Sequence, residues 1–144
     1  MVMAKTSVLQ LQWKRHEGGG GKTQTDYLDF VVDGEPLSEK LGGDLVSCLG
    51  WFAPEENTKA IHRLLLKEAA DLPNNRRSLY VCPECGELDC GAITAVIERS
   101  GERIIWRDFG FQSSSAEVTP IRDYGEVSFA FDRAQYNQAL KGAL

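Results

Sequence analysis

Three of the four cysteines of this chain fall within nine consecutive positions, Cys82-Pro83-Glu84-Cys85-Gly86-Glu87-Leu88-Asp89-Cys90. Thiols clustered in this way hold a metal, exchange a disulfide or line one tight turn. Cys82-Pro83-Glu84-Cys85-Gly86 has the spacing of a zinc knuckle, whose tight turn lets two thiolates and nearby amides converge on one cation. Cys90 is close enough in sequence to supply a third ligand, and a closed zinc site needs a fourth. There is no second Cys-x-x-Cys pair. Cys82, Cys85, Cys90 and the remaining thiol Cys48 therefore form the candidate ligand set, with zinc as the metal. His16 and His62 are alternatives for the fourth place, and water there would mark a catalytic centre. Two other readings stay open. A dithiol catalyst opens a helix whose dipole lowers the thiol pKa, whereas Gly91 and a β-rich stretch follow here. The thiols can also be small, buried, reduced side chains in a glycine-rich bend.

Other motifs carry less chemistry. His16-Glu17-Gly18-Gly19-Gly20-Gly21-Lys22-Thr23 approaches a phosphate-binding loop, but His16 stands where the first glycine belongs and a strand pattern follows. Such a loop needs a helix there to hold phosphate. Asp108-Phe109-Gly110 lacks the catalytic-loop partner of a kinase and is read as a strand end capped by Asp108. His16 and His62 lie near no serine or acid in a catalytic arrangement, so no catalytic residue is assigned. Arg99, Arg103 and Arg107 are expected to cross-pair with Glu98, Glu102 and Asp108.

The elements that would position these residues follow from periodicity. Leu9, Leu11 and Trp13 alternate as in a half-buried strand. Tyr27 to Val32 is a second strand closed by Asp33-Gly34, and the glycine tract Gly18–Gly21 forms the tip of this hairpin. Leu41 to Phe52 is apolar without a clear period. Pro54 opens a helix with Glu55 and Glu56 in its first turn. Ile61, Leu64, Leu65, Ala69 and Leu72 give its stripe, and Pro73-Asn74-Asn75 stop it. Ser78 to Val81 is a strand entering the cysteine turn. Ala92 to Arg99 and Glu102 to Phe109 form a hairpin apolar on both faces, hence interior to a sheet. Phe111 to Tyr124 reads as a polar loop and Val127 to Phe131 as a last strand. Asp132 caps a final helix that buries Tyr136, Leu140 and Ala143. The expected fold is α+β: one domain over residues 1–144, a mainly antiparallel sheet with two helices packed on one face.

The chain has 144 residues, enough for a continuous core, with 16 basic against 21 acidic residues and a net charge of −5. The acidic excess is shared by both halves and leaves no basic face for nucleic acid. Met1 to Ser7 lacks the apolar region of a secretory signal, and no apolar run reaches the roughly 20 residues that cross a bilayer. A cytoplasmic protein with reduced thiols and no membrane partner is expected.

Tyr80-Val81-Cys82-Pro83-Glu84-Cys85-Gly86, Cys90-Gly91-Ala92, Trp106-Arg107-Asp108-Phe109-Gly110-Phe111-Gln112 and Phe129-Ala130-Phe131-Asp132 together resemble a group of small bacterial proteins of unassigned function. The resemblance implies a shared fold more than an activity. Members carry glycine before the third cysteine, where this chain has Asp89. In size, acidity and lack of a catalytic signature the chain is also similar in type to cytosolic immunity proteins, which neutralise a cognate bacterial toxin by binding it. That similarity implies a non-enzymatic protein–protein binder, with Trp51, Phe52, Phe111 and Tyr124 as the aromatic anchors. The alternative is a small zinc-binding or thiol-redox protein centred on Cys82, Cys85 and Cys90.

Overall fold

The structure, a computed structural model, describes residues 6–17, 24–42, 45–51, 53–81, 91–112, 118–121 and 127–144. Its strands are β1 (Thr6–Ser7), β2 (Leu9–His16), β3 (Thr25–Val32), β4 (Glu35–Pro36), β5 (Val46–Ser47) and β6 (Arg76–Val81). They continue as β7 (Ala92–Ser100), β8 (Arg103–Gln112), β9 (Thr119–Pro120) and β10 (Phe129–Asp132). The helices are α1 (Pro54–Leu64) and α2 (Arg133–Lys141).

Alternation drives β2 and β3 into an antiparallel hairpin in which Leu9 faces Val32 and His16 faces Thr25. Asp33 and Gly34 both take positive φ, the requirement of a tight two-residue turn, and β4 returns against β3. The larger sheet runs β1-β10-β8-β7-β6-β5 with β9 added on β8, and β1 against β10 is its parallel pair. Val8 alone separates β1 from β2, so one edge of the large sheet continues into the small one. At the other edge the Leu28 amide of β3 donates to the Leu49 carbonyl, just past β5, at 3.0 Å. The sheet therefore curls, and the hairpin closes over the same core that α1 and α2 cover with Ile61, Leu64, Tyr136 and Leu140. The fold is α+β in a single domain.

At the centre of this core Trp106 lies edge-on to Phe30, Phe131 and Tyr136, at centroid distances of 5.4, 5.1 and 6.0 Å. Its indole donates to the Tyr136 hydroxyl (3.2 Å), which donates to the Leu64 carbonyl (2.6 Å) at the end of α1. Sheet and both helices thus meet through one chain of buried polar atoms. Asp132 caps α2 as expected, accepting from the Gln135 amide at 3.1 Å.

Three sequence readings are corrected. The first helix ends at Leu64 rather than running on to Leu72, and Ala69 is exposed. Leu66 enters the left-handed region (φ 63), with its amide on the Arg63 carbonyl and the Lys67 amide on the His62 carbonyl. This is a Schellman closure built on leucine instead of glycine, so no stop signal shows in the sequence. Asp108 does not end its strand. Two residues, Asp108 and Phe109, stand against Ala95, a bulge with Asp108 at φ 55, and β8 runs on to Gln112. Phe111 and Gln112 consequently belong to β8, and part of the expected polar loop, Thr119–Pro120, pairs back on it. The glycine tip Gly18–Gly21 lies outside the described residues. Among the described residues no helix is long and apolar enough to cross a membrane.

Candidate functional site

Among the described residues, the backbone of β2 pairs along one edge with β3 and along the other with no strand. The Val8 carbonyl accepts from the Asp33 amide at 3.0 Å, so the even-numbered residues that follow turn their N–H and C=O toward β3. The odd-numbered residues Leu9, Leu11, Trp13 and Arg15 turn theirs away from it. At Leu9 these groups meet the side chain of Gln135 on α2: the Leu9 amide donates to Oε1 (3.0 Å) and Nε2 donates to the Leu9 carbonyl (2.6 Å). One carboxamide thus makes both bonds that a neighbouring strand would make. Beyond Leu9 the edge opens into a groove of about 920 Å³ between β2 and the end of α2, walled by Leu11, Trp13, Leu28, Ala139 and Ala143. Its polar lining is glutamine, and none of the described residues that line it carries an ionisable side chain. Trp13 is 62% exposed here, over Gly50 and Leu28.

Behind the groove a buried polar cluster fixes the hairpin. Asp29, opposite Gln12 in the ladder, accepts from the Ser38 hydroxyl (2.5 Å) and the Tyr80 hydroxyl (2.7 Å). Lys14 Nζ donates to Ser38 Oγ at 2.8 Å and lies 3.5 Å from Glu39. Burial, then the charge of Asp29, raises the Tyr80 phenol well above its ordinary range. A lysine, a serine and a carboxylate stand in hydrogen-bonding sequence, but the serine hydroxyl is buried and spends its proton on Asp29. That arrangement builds a strut, not a nucleophile. Arg76 and Arg77 are buried as well. They donate to backbone carbonyls, Arg76 to those of Thr94 (3.2 Å) and Asp108 (2.6 Å), Arg77 to those of Ile97 (3.2 Å) and Glu68 (3.2 Å). Burial lowers both guanidinium pKa values.

Of the residues singled out by sequence, Cys82, Cys85, Cys90, Phe52 and Tyr124 lie outside the described residues. Val81 and Ala92, which bound the cysteine segment, are paired across β6 and β7. Cys48 is buried beside β6, its amide on the Leu79 carbonyl (3.0 Å) and its Sγ 3.5 Å from the Ser78 carbonyl oxygen. Burial, then the charge of Asp71, pushes its thiol up to about 12. Among the described residues no group of three His, Cys, Asp or Glu side chains could hold a metal ion. Trp51 is half-buried, its indole donating to the Ser47 carbonyl at 2.7 Å. Phe111 is 42% exposed, and its ring covers Gly91 (φ +90) so closely that a Cβ there would sit 2.2 Å away. His62 is half-buried on α1. Arg107 pairs across the hairpin with Glu98 (2.9 Å), as expected, and also with its own neighbour Asp108, while Arg99 lies 3.9 Å from Glu102 at the turn.

The sequence reading did not single out Trp13 and Gln135. Trp13 continues the alternation of Leu9 and Leu11, so the half-buried strand pattern does not set it apart from them. The one signal that does is the run Lys14-Arg15-His16 directly after it, where the apolar face stops. Compared with family models, with curated proteins and with solved structures, the chain matches none.

Proposed function

We propose that this protein acts by binding another protein, with the groove beside β2 as the docking surface, and that the outcome of binding is neutralisation of a bacterial toxin. The observation that carries this reading is Trp13, a large aromatic left 62% exposed at the mouth of a groove whose described lining residues carry no ionisable side chain. Tryptophan beside a desolvated pocket is the residue type that dominates binding energy at protein interfaces. The net charge of −5 favours a basic partner, since opposite charge speeds encounter and excludes wrong partners. Phe111 offers a second aromatic contact, on the strand end where Ala92 pairs with Gln112.

Capture from extracts of the native host tests this, using the full chain and its Trp13→Ala variant. A basic toxin captured by the parent and reduced at least tenfold by Trp13→Ala, with loss of protection in co-expressed cells, is the expected result. Co-expression that leaves such a toxin fully active overturns it.

A second reading has its own support. Because Val81 and Ala92 are partners, the three-thiol segment 82–90 starts and ends at adjacent positions of the sheet, which favours convergence of Cys82, Cys85 and Cys90 on one zinc ion. Cys48, turned to the Ser78 carbonyl, suits a core thiol better than a fourth ligand. Metal analysis of protein prepared without a histidine tag decides it: one zinc per chain, lost in Cys85→Ser, is the expected outcome, and metal-free protein removes the reading.

A further inference from the structure

We infer that the segment docked in the groove is an extended, uncharged stretch of the partner that pairs with the open edge of β2 as an added strand. This inference rests on the groove being a protein-docking surface, and it specifies how docking occurs.

The hydrogen-bonding pattern of the edge is the first argument. Leu9, Leu11 and Trp13 direct N–H and C=O to the same side, spaced two residues apart, or about 6.8 Å. The carboxamide of Gln135 already fills the first of these positions with both bonds of a strand neighbour. The next two open into the groove, where an extended backbone continues the same ladder. Charge complementarity is the second argument. Among the described residues that line the groove, every side chain is apolar or glutamine, and none offers a charge to a ligand. A charged segment would lose hydration there without gaining a partner. The third argument is exposure. Unpaired strand edges invite aggregation, and proteins blunt them with charge, proline or a bulge. From Leu9 to Trp13 this edge has none of these and carries an exposed tryptophan instead. Strand addition uses such an edge, with main-chain bonds supplying affinity and alternate side chains entering the groove. A second copy of the chain fits less well, because it brings the same net charge of −5.

The test uses the full-length protein labelled with ¹⁵N and a capped peptide, acetyl-Thr-Val-Thr-Val-Thr-Val-Thr-amide, as the probe. The amides of Leu11 and Trp13 should shift, and their exchange with solvent should slow at least fivefold. A peptide with glutamate replacing each valine should produce neither effect. Leu11→Pro removes an outward N–H and leaves the bonds of Gln10 and Gln12 to β3 in place, so it should weaken binding at least tenfold. Should that variant not fold, peptides N-methylated along one edge replace it: methylation on the edge facing β2 abolishes binding, and on the other edge it does not. Shifts confined to the Trp13 indole, no amide perturbation at millimolar peptide, or a concentration-dependent dimer lost in Leu11→Pro would each overturn strand addition. With a captured partner the two proposals separate. Binding lost in Trp13→Ala but kept in Leu11→Pro leaves docking standing and removes strand addition, whereas binding kept in both removes both.

Discussion

Replacing Tyr80 by phenylalanine isolates the polar strut that holds β2 in place. Asp29 is 1% exposed, and its two oxygens receive Ser38 and Tyr80 at 2.5 and 2.7 Å. Tyr80→Phe keeps the ring, its edge-on contact with Phe30 and the packing, and deletes one donor to a buried carboxylate. Hydrogen bonds to charged groups contribute about 1.5–3 kcal/mol each, so that is the expected cost. Asp29→Ala removes the acceptor of both hydroxyls, leaving that of Tyr80 stranded in the interior, and should cost about 2–5 kcal/mol. In the double variant the Tyr80 hydroxyl is no longer stranded, so its effect should fall short of the sum of the single effects by about 1.5–3 kcal/mol. Urea unfolding at neutral pH, followed by tryptophan fluorescence, measures all four proteins. An unchanged m-value keeps the comparison two-state. Additivity within about 0.5 kcal/mol would refute the strut, as would a Tyr80→Phe cost below that figure. The consequence reaches the groove, because Asp29 faces Gln12 and the cluster fixes β3 under the strand with the open edge.

Gln135→Ala removes the two bonds to Leu9 from a partly buried site and should cost about 1–2 kcal/mol in urea unfolding, while the neutral peptide binds at least as tightly because a third edge position opens; weaker peptide binding would count against the strand-mimic role of that carboxamide. Gly91→Ala forces an L-residue to φ +90 and drives its Cβ into the Phe111 ring, for an expected loss of about 2–3 kcal/mol. Adding Phe111→Ala should recover the clash but leave about 1–2 kcal/mol for the backbone, and full recovery would place the whole cost in the ring. Burial raises the phenols of Tyr80 and Tyr136 above the ordinary value of 10.0, so the folded state keeps their protons to higher pH than the unfolded chain does. Their stabilising contribution is therefore complete below about pH 10 and declines above it by up to about 1.4 kcal/mol per pH unit for each group. In an alkaline titration their phenolate absorbance should appear only with unfolding, and reversible ionisation of both in the folded protein would contradict their burial.

What the sequence disclosed was what neighbouring residues decide. Alternation was enough for the β2–β3 hairpin, Asp33-Gly34 marked the end of β3, and two-sided apolarity placed β7 and β8 inside the sheet. Asp132 marked the start of α2. Where local signals failed, the structure uses a residue against its habit: Leu66 closes a helix in a glycine conformation, and Asp108 makes a bulge rather than a cap. The site failed to show for a different reason. Alternation states which face of a strand is apolar, but not which strands lie beside it, and edge status is a property of strand order. Leu9-Gln10-Leu11-Gln12-Trp13 would read the same in the middle of a sheet. What marks it as an edge is Gln135, 126 residues away, whose side chain takes the place of a neighbouring strand at Leu9 and leaves the next positions open. A glutamine on a short helix carries no such meaning alone. It acquires it only when β1, held by β10, brings β2 alongside α2. The most conspicuous chemistry in the chain, its cysteines, and the proposed docking surface therefore arise at opposite levels of organisation: the first from spacing, the second from topology.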